Sequence, residues 1–238
     1  MMASGSFLND IHTAPPDETA QRFIRENLHV ASVPMVPEIR LYTAHSGSGL
    51  RRLSGEGRAG PPPYWAYRWA GGTVLARYFL DRPETVGSRR VLDLGAGSGI
   101  VGIAAAKAGA SVVIAADTDP FAAAATRLNA DVNGVSITAV TDDLTVGPPP
   151  AVDVVAVGDL FYERDLAKRV TAFLDRCLDA GMKVLVGDPG RAFLPRSRLR
   201  PVAEYAVADF GDVTDAPMKQ SAVFSFEPDE TTVSVSRR

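Results

Sequence analysis

The chain reads as an α/β protein, with a mostly parallel sheet, helices on both faces and an N-terminal helical extension. Three observations predict this. From Val91 to Val186, apolar strand-like runs alternate with runs that repeat at helical spacing, and each crossover is long enough for a right-handed return. Gly109, Gly134 and Gly181 stand where those helices should stop. A glycine-rich turn, Gly95-Ala96-Gly97-Ser98-Gly99, joins the first strand of the series to its helix.

Taken in order, the first 15 or so residues lack periodicity and are expected to be mobile. Pro15 and Pro16 precede Asp17 and Glu18, a helix start, and Ala20, Phe23, Ile24 and Leu28 share one face. Packing onto the core is the simplest role for that helix, and a lid or arm is the alternative. Between Val30 and Gly60 only Glu38-Ile39-Arg40-Leu41-Tyr42 alternates like a strand, and Gly47, Gly49, Gly55, Gly57 and Gly60 mark loops. Pro61-Pro62-Pro63 then stiffens the approach to Tyr64, Trp65, Tyr67 and Trp69. A helix follows Gly71-Gly72, with Val74, Leu75, Tyr78 and Phe79 on one face, and ends before Pro83.

The regular region opens with a strand at Val91–Leu94 and a helix carrying Val101, Ile103, Ala104 and Ala105. A strand over Val112–Ala116 leads to Asp119, which caps a helix with Pro120 in its first position. Further strands are expected near Ile137–Val140, Val152–Val157 and Lys183–Val186. Between the last two, Leu166, Val170, Phe173, Leu174, Cys177 and Leu178 define an amphipathic helix. Alternating runs over Val202–Phe210 and Ala222–Phe226 predict a closing hairpin. The expected organisation is an extension over residues 1–36, a flanking segment over 37–88, a ligand-binding domain over 89–228 and a flexible tail over 229–238.

Composition narrows the function classes. The chain has 238 residues, 46% hydrophobic and 22% charged, with a net charge of −3. That balance offers no general attraction to nucleic acid or to an anionic membrane. No apolar run approaches the roughly 20 residues of a membrane span. Cys177 is the only cysteine and falls on an apolar helix face, so it is expected in the core, with no disulfide. His12, His29 and His45 are scattered, so no metal site is expected. A cytoplasmic, monomeric protein is expected.

Candidate functional residues cluster at strand ends, where ligands bind in such sheets. The glycine loop presents backbone N–H groups and a helix N-terminus to a ligand, although glycines of this kind also serve tight packing alone. A dinucleotide loop would need a third glycine where Ile100 stands, so Gly95, Gly97 and Gly99 after Asp93 suit S-adenosylmethionine better. Asp93 would meet its ammonium. Asp117 stands twenty residues after Gly97, in place for the ribose hydroxyls, because Asp119 already provides the helix cap. Asp142, rather than Asp143, is the candidate for the adenine amine. Trp69 flanks the adenosine or sulfonium, or packs in the core. At the end of the fourth strand, Asp159 and Tyr162 can offer an acceptor and a π face to an incoming amine. Alternatively Asp159 caps the next helix and Tyr162 packs at its base. Arg191, Arg196, Arg198 and Arg200 form a basic loop, solvated or able to grip an acidic partner.

These residues, in this order, resemble the seven-β-strand S-adenosylmethionine-dependent methyltransferases. More narrowly, the chain is similar to the electron transfer flavoprotein β-subunit lysine methyltransferases. The resemblance runs from about Pro37 to Pro228 and rests on Pro37-Glu38-Ile39-Arg40-Leu41, Pro63-Tyr64-Trp65-Ala66, Trp69-Ala70-Gly71-Gly72, Asp93 to Gly99, Asp117-Thr118-Asp119-Pro120, Gly158-Asp159-Leu160-Phe161-Tyr162 and Gly187-Asp188-Pro189-Gly190-Arg191. It implies a Rossmann-like sheet of seven strands, the last antiparallel and the final two swapped in order. It also implies S-adenosylmethionine as cofactor, a protein lysine as substrate, and Asp159 and Tyr162 beside that lysine. A mitochondrial member would carry a transit peptide, which is not seen, so a bacterial cytosolic form is expected. The electron transfer flavoprotein β subunit is the expected partner. A ribosomal protein, a small-molecule amine and a non-catalytic binding module are the alternatives.

Overall fold

In the computed structural model, residues 16–50, 62–208 and 218–229 are described. The stretch before Pro16, the glycines of residues 51–61, the end of the alternating run at Phe210 and the tail beyond Asp229 lie outside them. Helix α1 (Pro16–Asn27) buries Ala20, Phe23, Ile24 and, just beyond its end, Leu28. Hairpin strands β1 (His29–Val33) and β2 (Val36–Thr43) follow. β2 covers the expected strand. β1 was not expected, because its residues are mostly exposed and show no alternation. Helix α2 (Ala70–Asp81) takes in both Gly71 and Gly72.

The regular region forms as the punctuation predicts. Strand β3 (Arg90–Leu94) leads to α3 (Ile100–Lys107), an all-round apolar helix buried on most sides. After β4 (Val112–Asp117), the Asp119 carboxylate accepts the Phe121 N–H at 2.8 Å and starts α4 (Pro120–Asn133). Gly134 ends it in a left-handed conformation. Strands β5 (Thr138–Thr141) and β6 (Val154–Gly158) come next. Helix α5 (Arg164–Asp179) buries Val170, Phe173, Leu174 and Cys177, and burial pushes the Cys177 thiol up to about 12. Strands β7 (Lys183–Asp188), β8 (Leu199–Val207) and β9 (Lys219–Phe226) complete the sheet.

The seven strands are ordered β5-β4-β3-β6-β7-β9-β8. β3 to β7 are mutually parallel, and β9 slots between β7 and β8, antiparallel to both. This is the swapped, antiparallel ending that the resemblance implies. One face packs on α2, α3 and the β2 strand, the other on α5. A third cluster joins α1 to α4 through Trp65, which stacks on Phe121 at 5.7 Å between centroids. So α1 packs onto the core. The chain proceeds outward from β3 through β4 and β5, then crosses back to place β6 on the other flank of β3. That reversal opens a crevice at the carboxyl ends of β3 and β6. It brings the glycine loop and Asp159 together.

Candidate active site

Gly95, Gly97 and Gly99 all take positive φ, at 70°, 52° and 78°. A Cβ on Gly95 would lie 2.6 Å from Leu160 Cδ2, and one on Gly99 would lie 2.8 Å from Thr126 Cγ2. A Cβ on Gly97 would meet only the Trp65 Cα, at 3.7 Å. Four of the turn's five donors, however, are spent inside the protein. The N–H groups of Gly95 and Ala96 reach the Ala116 carbonyl at 2.8 and 3.0 Å, and that of Gly99 reaches the Ala96 carbonyl at 2.7 Å. The Gly97 N–H donates to Asp117 Oδ2 at 2.9 Å. The expectation of bare amides facing a ligand is corrected here: these four brace the turn. A loop with spent donors suits a cationic ligand better than a pyrophosphate, which needs them free.

The crevice holds a cavity of about 350 Å³. Gly95, Gly97, Asp117, Asp142, Trp69, Asp159 and Tyr162 all line it. Asp117 Oδ1 also accepts the Asp119 N–H at 3.0 Å, and burial pushes its carboxyl up against these bonds. Asp142 stands exposed at the rim, whereas Asp143 folds back onto the Thr145 N–H and hydroxyl. Two expected residues do not reach the cavity wall, Asp93 and Gly99. The buried Asp93 accepts the Gly102 N–H at 2.9 Å in the first turn of α3. Burial pushes its carboxyl up to about 7 against that bond, with the Asp117 charge adding to the rise.

Asp159 directly follows β6 at φ 59°, in the left-handed region that costs a side chain on the order of 1 kcal/mol. Its Oδ2 accepts the Gly72 N–H at 3.0 Å, and its Oδ1 accepts Arg191 Nε at 3.1 Å and Nη2 at 2.7 Å. Burial pushes the carboxyl up to about 6, opposed by the Arg191 charge and these bonds. Glycines make the contact with α2 possible. A Cβ on Gly71 would lie 2.1 Å from the Gly187 carbonyl oxygen, and one on Gly158 would lie 3.0 Å from the Gly72 nitrogen. The first turn of α2 thus rests backbone on backbone over the ends of β6 and β7.

Aromatic rings close one side of the cavity. Tyr64 and Trp69 meet edge to face at 5.5 Å, and Trp69 Nε1 donates to the Tyr64 carbonyl at 2.8 Å. Tyr162 lies 5.8 Å from Tyr64, and these two rings are 47% and 40% exposed, so both form an open mouth. The site therefore joins an adenosine-sized cavity, a buried carboxylate and an aromatic entrance.

Over 212 residues the chain is 37% identical to the electron transfer flavoprotein beta subunit lysine methyltransferase of Xenopus laevis, covering 87% of this chain and 86% of that protein. The Homo sapiens protein of the same name is 34% identical over 234 residues, 94% of this chain and 86% of that one. The chain belongs to this family of S-adenosylmethionine-dependent protein lysine methyltransferases. Residues 71–157 also match the family described as ribosomal protein L11 methyltransferase (PrmA). The fold is shared with the crystal structure of the ribosomal protein L11 methylase from Lactobacillus delbrueckii subsp. bulgaricus, with a TM-score of 0.50 at 21% identity over 68% of this chain and 81% of that one.

In this methyltransferase the helix cap considered for Asp159 is supplied by another residue. Glu163 caps α5, accepting the Asp165 and Leu166 N–H groups at 2.9 and 2.8 Å, and Tyr162 is half exposed rather than packed. Three of the four arginines of the basic loop are ion-paired within the chain. Arg191 pairs with Asp159, Arg198 with Asp175, and Arg200 with Glu227. The Asp159–Arg191 pair is the feature of the cavity wall that sequence reasoning missed. Among the described residues no helix is long and apolar enough to cross a membrane, and no cluster of His, Cys, Asp or Glu gathers to hold a metal.

Proposed function

We propose that this methyltransferase modifies a lysine of the electron transfer flavoprotein β subunit, with Asp159 and Tyr162 at the reacting amine. The observation that carries this is the pairing of a buried acceptor, Asp159, with the exposed Tyr162 ring on the wall of one cavity. The names of the relatives supply the protein substrate. S-adenosylmethionine, when bound, supplies an electrophilic methyl group on a sulfonium. Gly97 would give it room for close approach, Asp117 would take the ribose hydroxyls, Asp142 would take the adenine amine, and Asp93, behind the cavity wall, would favour the ammonium only when ionised. Residues 89–228 form the part that binds the cofactor, while 37–88 add Tyr64 and Trp69 to its mouth.

Methyl transfer is an in-line displacement, so orientation of the amine does much of the work. The lysine must react as a neutral amine, against an ordinary pKa near 10.4. Burial among Tyr64, Tyr162 and Trp69 lowers that value, and the proton leaves to water at the exposed mouth. Asp159 Oδ2 then accepts an amine N–H and aims the lone pair, and Tyr162 walls the channel.

Incubation with S-adenosylmethionine and purified flavoprotein β subunit, followed by peptide mass spectrometry, tests the assignment. Methyl groups on lysine of the β subunit are the expected result. Because the L11 methyltransferase match spans 71–157, ribosomal protein is the control substrate. Methylation of that protein alone, or label only in small molecules, would overturn the flavoprotein assignment.

A further inference from the structure

We infer that Arg191 is a positioning residue for methyl transfer: it holds the Asp159 carboxylate charged and aimed, and cancels the charge that the amine would otherwise feel. The inference rests on Asp159 being the acceptor for the substrate amine. Its basis is geometric. The two Arg191 nitrogens at 3.1 and 2.7 Å occupy both acceptor positions of Asp159 Oδ1. Gly72 takes one position on Oδ2 at 3.0 Å and leaves one for substrate. The guanidinium also lies 5.4 Å from the centre of the Trp69 ring, so it joins the acid to the aromatic wall. Its backbone is fixed as well, since the Arg191 and Gly190 N–H groups both donate to Asp188 Oδ1 at 2.6 Å.

Each neighbour of Asp159 pushes in a known direction. Asp188, at the end of β7, carries like charge and favours protonation of Asp159. Arg191 and the N-terminal turn of α2 favour the ionised form. Glu163 is turned away to cap α5, and the Tyr162 phenol is held protonated, its pKa raised first by burial. Without Arg191, a carboxyl this buried would take a proton. A protonated acid would donate to the amine lone pair, the electrons that must attack carbon. A bare carboxylate would do the opposite harm and keep the proton on the amine. An ion pair avoids both, because it still accepts a hydrogen bond and its net charge is zero. Lysine at this position would keep the charge and lose the two-pronged geometry.

The test compares wild type with R191M, R191Q and R191K. S-adenosylmethionine affinity, by calorimetry, should stay unchanged in all four. In R191M the acid limb of the kcat profile should move up by at least about one pH unit, so that a roughly tenfold loss on the acid side recovers at higher pH. R191K should keep the wild-type midpoint with a lower plateau. A carboxyl-carbon NMR titration of Asp159, assigned through Asp159→Asn, should show the same displacement with no substrate present. R191Q carries the comparison should R191M not fold. An unchanged midpoint in an enzyme that methylates lysine would overturn the role of Arg191 alone. A displaced midpoint in a protein that methylates no lysine would overturn the functional assignment, and the role of Arg191 with it.

Discussion

The carboxylate of Asp159 and the amide of Gly72 meet at 3.0 Å across 87 residues of chain, joining the end of β6 to the first turn of α2. Helix N-termini favour negative charge, so this contact helps keep a buried acid ionised where a substrate amine would arrive. It exists only because the backbones approach so closely. The carbonyl oxygen of Gly187 would lie 2.1 Å from a methyl group on Gly71.

Gly71→Ala should therefore be costly in both stability and activity. The clash is with backbone, which cannot rotate aside, so an overpacking cost of about 2–3 kcal/mol is expected. For a chain of this length that corresponds to a melting temperature lower by roughly 4–12 °C. Gly147→Ala is the control, since nothing lies within 4 Å of its added methyl, and it should change stability by less than about 0.5 kcal/mol. Thermal melts of the two variants decide the point, and equal effects would show that the α2 contact is not tight.

Variants at the mouth should separate transfer from cofactor binding. Asp159→Ala removes the acceptor, and loss of orientation is expected to lower kcat by about a hundredfold. Tyr162→Ala should lower it by about tenfold through loss of the π face, with Tyr162→Phe close to wild type. S-adenosylmethionine affinity should be unaltered in all three. Loss of that affinity in Asp159→Ala or Tyr162→Ala would move those residues into the cofactor site.

Much of the fold is legible locally. Asp119 with Pro120 marks a helix start, Gly134 a stop, and the alternation of apolar runs the parallel sheet. Strand β1 is not, because it lies mostly exposed and carries no pattern to read. The site divides the same way. Gly97 and Asp117 sit within one βαβ unit, so their spacing alone places them together. Arg191 meets Asp159 only because Gly158 and Gly187 are paired across neighbouring strands, a register set by the whole sheet. Side-chain type misleads at Glu163, since glutamate is an uncommon helix cap and Asp159 looks the better candidate. The fates of the loop amides are hidden for another reason. Gly95 and Ala96 reach the Ala116 carbonyl on the adjacent strand, and Gly97 reaches the Asp117 side chain at its end.

Asp117→Asn should weaken cofactor binding. The carboxylate both pins the Gly97 amide and faces the cavity, so the change disturbs the loop and removes charge from a ligand contact. Hydrogen bonds to a charged group are worth about 1.5–3 kcal/mol. A dissociation constant about ten- to a hundredfold higher is expected by calorimetry, with kcat at saturating S-adenosylmethionine changed far less. An unaltered dissociation constant would remove Asp117 from the binding site.

Asp93 should make the ligand-free protein more stable at pH 6 than at pH 8. Its carboxyl is pushed from the ordinary 3.8 to about 7 in the folded chain. Between those values the folded state holds a proton that the unfolded state has released, so stability falls as pH rises from about 4 to about 7, then levels. From pH 6 to pH 8 the Asp93 contribution to that fall is on the order of 1 kcal/mol, or a few degrees in melting temperature. Asp93→Asn keeps an acceptor for the Gly102 amide and removes the titration. Subtracting its melting profile from the wild-type one cancels the groups that do not feel Asp93 and leaves Asp93 with its coupling to Asp117. The difference should therefore have the stated size and sign, and a flat difference between pH 6 and pH 8 would mean that Asp93 stays ionised despite its burial.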